Sequence, residues 1–562
     1  MRKSISIISL LLVFVMLFTL TGCGKSTDKS AEPASAPTAK TELTKTTIPW
    51  YRGEITVMQS KDTGFKKKTP PGTVVYATSG QIIGADPMNS QEEYPWSHNV
   101  YEGLLTRDWK TGEIKGLLAT EWKYDDKGNL NITLREGVKF HDGTTLDAED
   151  VLFTLKRTAT HPKSKIAEAT SKIDFAKSFK KDATHLTLVF KEPSGALISV
   201  LASGWAGIMS KEFVESKGKD YDYMDADAGT GPYKLVETVT GNSQTFKRFD
   251  EYWGEKPEVE AVVYKLFKDY TAMAIAYQNG ELDFTLNNNY DTVKRFMNGE
   301  ITDTTYYRIG VNRSQHLQLT TLGGTPLKDV RIRQALAYCI DYKSLIVGTY
   351  ESEEMANLPR SIFMGGIKYA INLGTYEYNP EKAKQLLAEA GYSKDKPLEL
   401  KLMTSDNVNN MAAAQIVQNY AAEIGIKISV TSQNSTAMTK DINDKNIPSK
   451  WDIVLTSTNY GSGDPDDFLA GRAAYGKQPG TFSANMGIDD QKLCDLMAQG
   501  SATIDEAKRA EIYKEIQQMF YDQCWVIPLN VRTSNVLCRS YLQNTEFLSG
   551  YHPRFASWKL AQ

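Results

Sequence analysis

Leu118–Leu155 reads LATEWKYDDKGNLNITLREGVKFHDGTTLDAEDVLFTL, and its punctuation decides what can fold around it. Leu130–Leu134 alternates its side chains and follows Lys127-Gly128, which predicts a short strand. Gly137 interrupts the run, Asp142-Gly143 makes a turn, and Asp147 stands where a helix cap belongs. The helix that follows places Val151, Leu152 and Leu155 on one face. It carries Glu149 and Asp150 in its first turn, where the dipole favours acids. Strand, turn and helix in that order form the wall of an α/β lobe.

The same stretch, as Leu118-Ala119-x-x-Trp122, Leu134 through Thr144 (LREGVKFHDGT) and Ala148-Glu149-Asp150-Val151, resembles the signature of one family. These are the peptide/nickel-type solute-binding proteins, family 5, of ABC importers. Further landmarks follow in order: Asp86-Pro87, Val100–Leu104, Thr230–Tyr233, Glu251–Gly254, Gln278–Asp283 and Lys328–Leu336. The resemblance runs from about Gly72 to Leu560 and implies a two-lobed α/β fold of the type II periplasmic-binding-protein kind, with the family's extra subdomain. The glycines and proline of Thr230–Tyr233 read as a tight crossing between lobes.

The gross numbers agree with that class. A chain of 562 residues exceeds what one core organises, so at least two lobes are expected. A net charge of −3 gives no argument for nucleic acid. With six histidines and no G-x-S-x-G or H-E-x-x-H motif, neither an enzyme nor a metal or cofactor is expected.

The N-terminus sets the compartment. Arg2 and Lys3 precede an apolar run, Ile5 to Leu20, which ends Leu20-Thr21-Gly22-Cys23 and resembles a bacterial lipobox. That resemblance implies a signal peptide over 1–22 and a lipid on Cys23 at the outer face of the cytoplasmic membrane. Residues 23–71 read as a flexible linker, because Gly24 to Lys45 has almost no large apolar residue. Within it, Ile48 to Met58 holds Trp50 and Tyr51, large enough to pack. The remaining cysteines, Cys339, Cys494, Cys524 and Cys538, show no zinc spacing and read as buried thiols, with a Cys524–Cys538 bridge left open.

The folded body divides into lobe I (72–310, the extra subdomain at about 100–225), lobe II (311–526) and a return to lobe I (527–562). In lobe II, Asp329 to Val347 reads as one helix from the spacing of Ile332, Leu336, Cys339 and Ile340. Asn379-Pro380 opens a second helix. Leu398–Met403, a helix through Ala413–Ile424 and Ile426–Val430 make a βαβ unit, and Trp451–Leu455 adds a strand. Asp505 to Tyr521 is a last helix.

A ligand would lie between the lobes, which close by a hinge. Candidate contacts are Tyr94 and Trp96 in the loop before Val100–Leu104, and Trp205 in the extra subdomain. The others are Thr458, Asn459, Tyr460, Gly461 and Asp464 after the strand in lobe II. Peptide-binding members commonly place an aspartate three residues before an acidic-Pro pair, for the ligand's α-amine. Counting back from Asp464-Pro465 lands on Gly461, so that acid is missing, and either another acid (Asp464, Asp466, Asp467, Glu92 or Glu93) takes over or the natural ligand lacks that amine. No arginine occurs between Lys401 and Ile424 for a dipeptide's carboxylate either. The reading is therefore a monomeric receptor for an oligopeptide or similar small polar solute, which it hands to an ABC permease driven by a separate ATPase. The alternatives are a non-peptide ligand and a solute-binding sensory receptor. Gly471–Lys477 has the spacing of a phosphate loop and Asp220–Asp227 a loose likeness to a calcium loop, and both are discounted for missing residues.

Overall fold

The computed structural model describes residues 43–50, 53–65, 67–79, 82, 84–88, 94–218, 223, 228–321, 324–443, 450–459, 462–469, 488, 490–548 and 552–561. In the opening stretch, Asp147 caps the helix Ala148–Thr160 by accepting from the Glu149 and Asp150 amides, and Asp150 accepts from the Asp147 amide in return. The strand Leu130–Leu134 alternates buried and half-buried side chains. It pairs with Ala119–Tyr124 on one side and His185–Leu188 on the other, within a four-stranded antiparallel sheet. Helix and sheet share one core, with Leu118, Ile132, Val151 and Leu155 at its centre and Trp253 packed against it. This is the extra subdomain.

The main sheet has thirteen strands among the described residues. From one edge, Tyr233–Val239, Ser243–Arg248, Ala261–Leu266, Thr73–Thr78 and Phe284–Thr285 lead to its centre. There lie two long strands, Val526–Arg539 and Thr304–Leu319; Ile453–Asn459, Leu398–Ser405 and Ile426–Gln433 continue to the far side. The long pair joins two separate cores. One gathers Tyr76, Tyr233, Phe246, Phe284, Phe555 and Trp558. The other gathers Leu317, Leu336, Leu400, Val417, Leu455 and Ile527. The register of the long pair shifts between Gly310 and Ser314, which bends the sheet where it passes from one lobe to the other. The molecule is thus a two-lobed α/β fold of type II, with the parallel strands of lobe II (Leu398–Ser405 beside Ile426–Gln433 and Ile453–Asn459) buried by helices.

Several expectations need correction. Residues 44–59 are not linker: Thr44–Trp50 and Gly53–Gln59 form a hairpin that pairs with Thr305–Arg308 of the first long strand. Trp50 and Ile55 anchor it in the lobe I core. The segment after it is tied down as well, since Thr63 bonds to Asp303 and Thr69 to Asp283. The expected single helix over 329–347 is two, Val330–Tyr338 and Tyr342–Tyr350, because Asp341 caps the second through the Lys343 and Ser344 amides. Thr230–Tyr233 is no inter-lobe crossing: a Cβ on Gly231 would lie 2.7 Å from the Asn99 carbonyl oxygen, so the glycine serves a close backbone approach inside lobe I. Cys524 and Cys538 are both buried free thiols and do not bridge, while Cys494 is only half-buried.

Candidate ligand cleft

Ile453–Asn459 carries its C-terminal end to the bend of the sheet, where Thr458 and Asn459 pair with Ser314 and Arg313. This is the carboxyl end of a strand parallel to its neighbour Leu398–Ser405, the edge of an α/β sheet at which ligands are held. Tyr460 and Gly461 lie outside the described residues, as do Gly471–Lys477 and Cys23. The chain resumes at Ser462, whose carbonyl accepts from Arg107 of lobe I at 3.3 Å, and the Gly463 carbonyl accepts from the Lys368 amide at 2.9 Å. The loop after the strand therefore lies at the junction of the lobes.

Asp464 is buried and paired within its own lobe. Its two oxygens take a bidentate pair from Arg509, at 2.6 and 2.7 Å, and both side chains are 1% exposed. Arg509 also bonds Asp466 at 3.1 Å and donates from Nε to the Gly500 carbonyl at 2.9 Å. Tyr513 closes the cluster with a short bond to Asp466. Burial, and then the Asp464 charge, push the Asp466 carboxyl up to about 6 despite its arginine. Two acids share one guanidinium here, and neither is left to receive a ligand's ammonium group.

Trp96 is a second correction. It has no exposed surface, stacks on Tyr94 with ring centroids 5.7 Å apart and belongs to the lobe I core. Tyr94 is half-buried at the edge of that core. Trp205 is buried with Ile166, Ala169 and Val200 in a small cluster of the extra subdomain. Its Nε1 is buried and has no hydrogen-bond partner among the described residues. Trp205 and Tyr94 thus belong to separate clusters, with Thr458 and Asn459 at the strand end as backbone positions.

Sequence reasoning missed Arg509, Lys172 and Gly195. Arg509 carried a readable signal: it precedes Tyr513, Ile516 and Phe520 at helical spacing on the buried face of Glu506–Gln523, where a lone arginine implies a buried carboxylate partner. Lys172 and Gly195, whose partners lie in the other lobe, carried none.

A two-lobed fold with a polar junction at the carboxyl ends of its strands suits a protein that holds a solute between its lobes, and comparison with known proteins makes the class specific. Residues 113–478 match the family described as bacterial extracellular solute-binding proteins, family 5 Middle. The chain belongs to this family and is a substrate-binding protein of an ABC importer, not an enzyme. It is 27% identical over 489 residues to the dipeptide-binding protein of Escherichia coli strain K12, covering 80% of this chain and 88% of that one. The glutathione-binding protein GsiB of the same strain is 25% identical over 464 residues, 82% of this chain and 88% of that one. The fold is similar to that of the ABC transporter substrate-binding protein CtaP from Listeria monocytogenes. The TM-score is 0.76 at 21% identity, over 88% of this chain and all (100%) of that one.

Proposed function

We propose that the protein is a receptor lipid-anchored through Cys23, which captures an oligopeptide or related small polar solute and delivers it to its permease. Peptide and glutathione binding by the relatives named above supports the ligand class. The capture of both Asp464 and Asp466 by Arg509 is the observation that carries the finer reading. With Gly461 where an acid is usual, Asp464 and Asp466 are both engaged by Arg509 rather than free for an α-amine. A buried ammonium without a charge partner costs on the order of 2–5 kcal/mol, so selection has to rest on other groups. The unpaired indole N–H of Trp205 supports one such group, a donor to a peptide carbonyl or carboxylate, with Tyr94 and the Thr458–Gly461 chain as further contacts.

Native mass spectrometry of protein taken from membranes reads both the lipid on Cys23 and any co-purified ligand. Titrations with matched free and N-acetylated tri- to pentapeptides then test the pocket. Acetylation is expected to change affinity by no more than a few-fold. A loss of about tenfold or more, equivalent to 1.4 kcal/mol, would mean that an acid does receive the amine and would overturn the assignment.

A further inference from the structure

We infer that the seam between the extra subdomain and the C-terminal helices of lobe II is a latch for the closed form, with Gly195 seated in it and Arg509 as its rigid floor. This rests on the reading that the lobes close over a solute. The Gly195 amide donates to the Ser501 carbonyl at 2.8 Å, across to the end of the helix Gln491–Ala502. Lys172, 8% exposed, donates to the Ser501 hydroxyl at 2.5 Å. Gly195 is not needed for backbone freedom, since its φ is not positive. It is needed for space: a Cβ there would overlap the Thr503 carbonyl oxygen and stand 2.6 Å from Arg509 Nε.

The floor cannot give way. Arg509 is held by Asp464, Asp466 and the Gly500 carbonyl, and its guanidinium lies 5.0 Å from the Tyr513 ring centre. Asp464 is also the end of the loop whose Ser462 carbonyl meets Arg107. One cluster therefore joins the loop beside the ligand strand to the seat of Gly195, so the position of that loop is mechanically linked to the seam. The seam is also built to release. Ser194, 3% exposed, keeps a buried hydroxyl with no partner among the described residues, so closing costs part of what the two cross-lobe bonds contribute.

The test uses the full chain as Gly195→Ala and Lys172→Met, read by hydrogen–deuterium exchange and small-angle scattering, without ligand and with a defined pool of tri- to pentapeptides. With the peptide pool, exchange in residues 190–200 should be about tenfold faster in Gly195→Ala than in the parent and raised in Lys172→Met, the loss of one net hydrogen bond and its packing. The radius of gyration should rise in both, while the urea midpoint stays that of the parent. Faster local exchange with an unchanged radius of gyration would make the contact a local one and overturn the latch. Native mass spectrometry separates the two readings: a pool that does not bind the parent counts against the ligand class, whereas a pool that binds and leaves exchange in residues 190–200 unchanged overturns the latch.

Discussion

His141 sits in the turn of the opening stretch with Nε2 2.8 Å from the Gly231 carbonyl, an acceptor, so this nitrogen carries a proton. Burial, with Lys234 nearby, lowers its pKa from 6.5 to about 4. The unfolded chain therefore binds a proton that the native one refuses between those values. The contribution of His141 is full above pH 6.5 and is lost as pH falls towards 4, a difference of about 2.5 units or roughly 3 kcal/mol. Asp150 and Asp466, both raised to about 6, act in the opposite direction over part of that window. The measurement is thus a comparison: urea unfolding at pH 7 and pH 4.5, in which His141→Gln should lose less stability on acidification than the parent. An equal loss would show that the ring is already protonated in the fold. At this scale the sequence revealed which side chains were present near a site but not their partners. Asp464 beside Pro465 read as a free acid, and only folding brought Arg509 against it from forty-five residues away.

The capped helix shows how much one acid can hold at the level of elements. Asp147 caps only Ala148–Thr160, whereas Asp150 accepts from the Asp147 amide at 3.0 Å and from the Lys211 amide at 2.9 Å. It thereby starts two helices, its own and Lys211–Lys217. Each acid accepts from two amides, but Asp150 is the more buried and joins two helices, so Asp147→Ala should cost about 1 kcal/mol and Asp150→Ala about 2 kcal/mol or more. Chemical denaturation of the two variants checks the ranking, and a reversed order would refute the double role. Caps were the most legible feature in the chain: Asp147 and Asn379 each accept a bond where the pattern placed them, and Asp505, read only as the first residue of its helix, is a cap too. The miss at 329–350 has the same cause. Apolar spacing continued through Ile340, but the Asp341 carboxylate captured two amides and began a new helix.

For the whole molecule, the hairpin Thr44–Gln59 supplies the neighbour that covers Thr305–Arg308 of a long central strand. It buries Trp50, Ile55, Val57 and Met58. A chain begun at residue 61 should be less stable, because these four side chains, at about 1.5–3 kcal/mol each for full burial, leave the core. It should also aggregate through the uncovered strand edge. A urea midpoint and light-scattering profile equal to those of the longer chain would refute the structural role. From the sequence alone came the strand–turn–helix of the subdomain, its caps, the α/β class and the family, because each rests on spacings within a few dozen residues or on ordered local motifs. Tertiary structure alone decided that Thr44–Trp50 and Gly53–Gln59 are sheet, that Asp464 belongs to Arg509, and that Gly195 meets Thr503 across the junction. Those depend on which surfaces a folded chain brings together over hundreds of residues. No local pattern of polarity encodes that distance, because burial and pairing acquire their energy only once both partners have arrived.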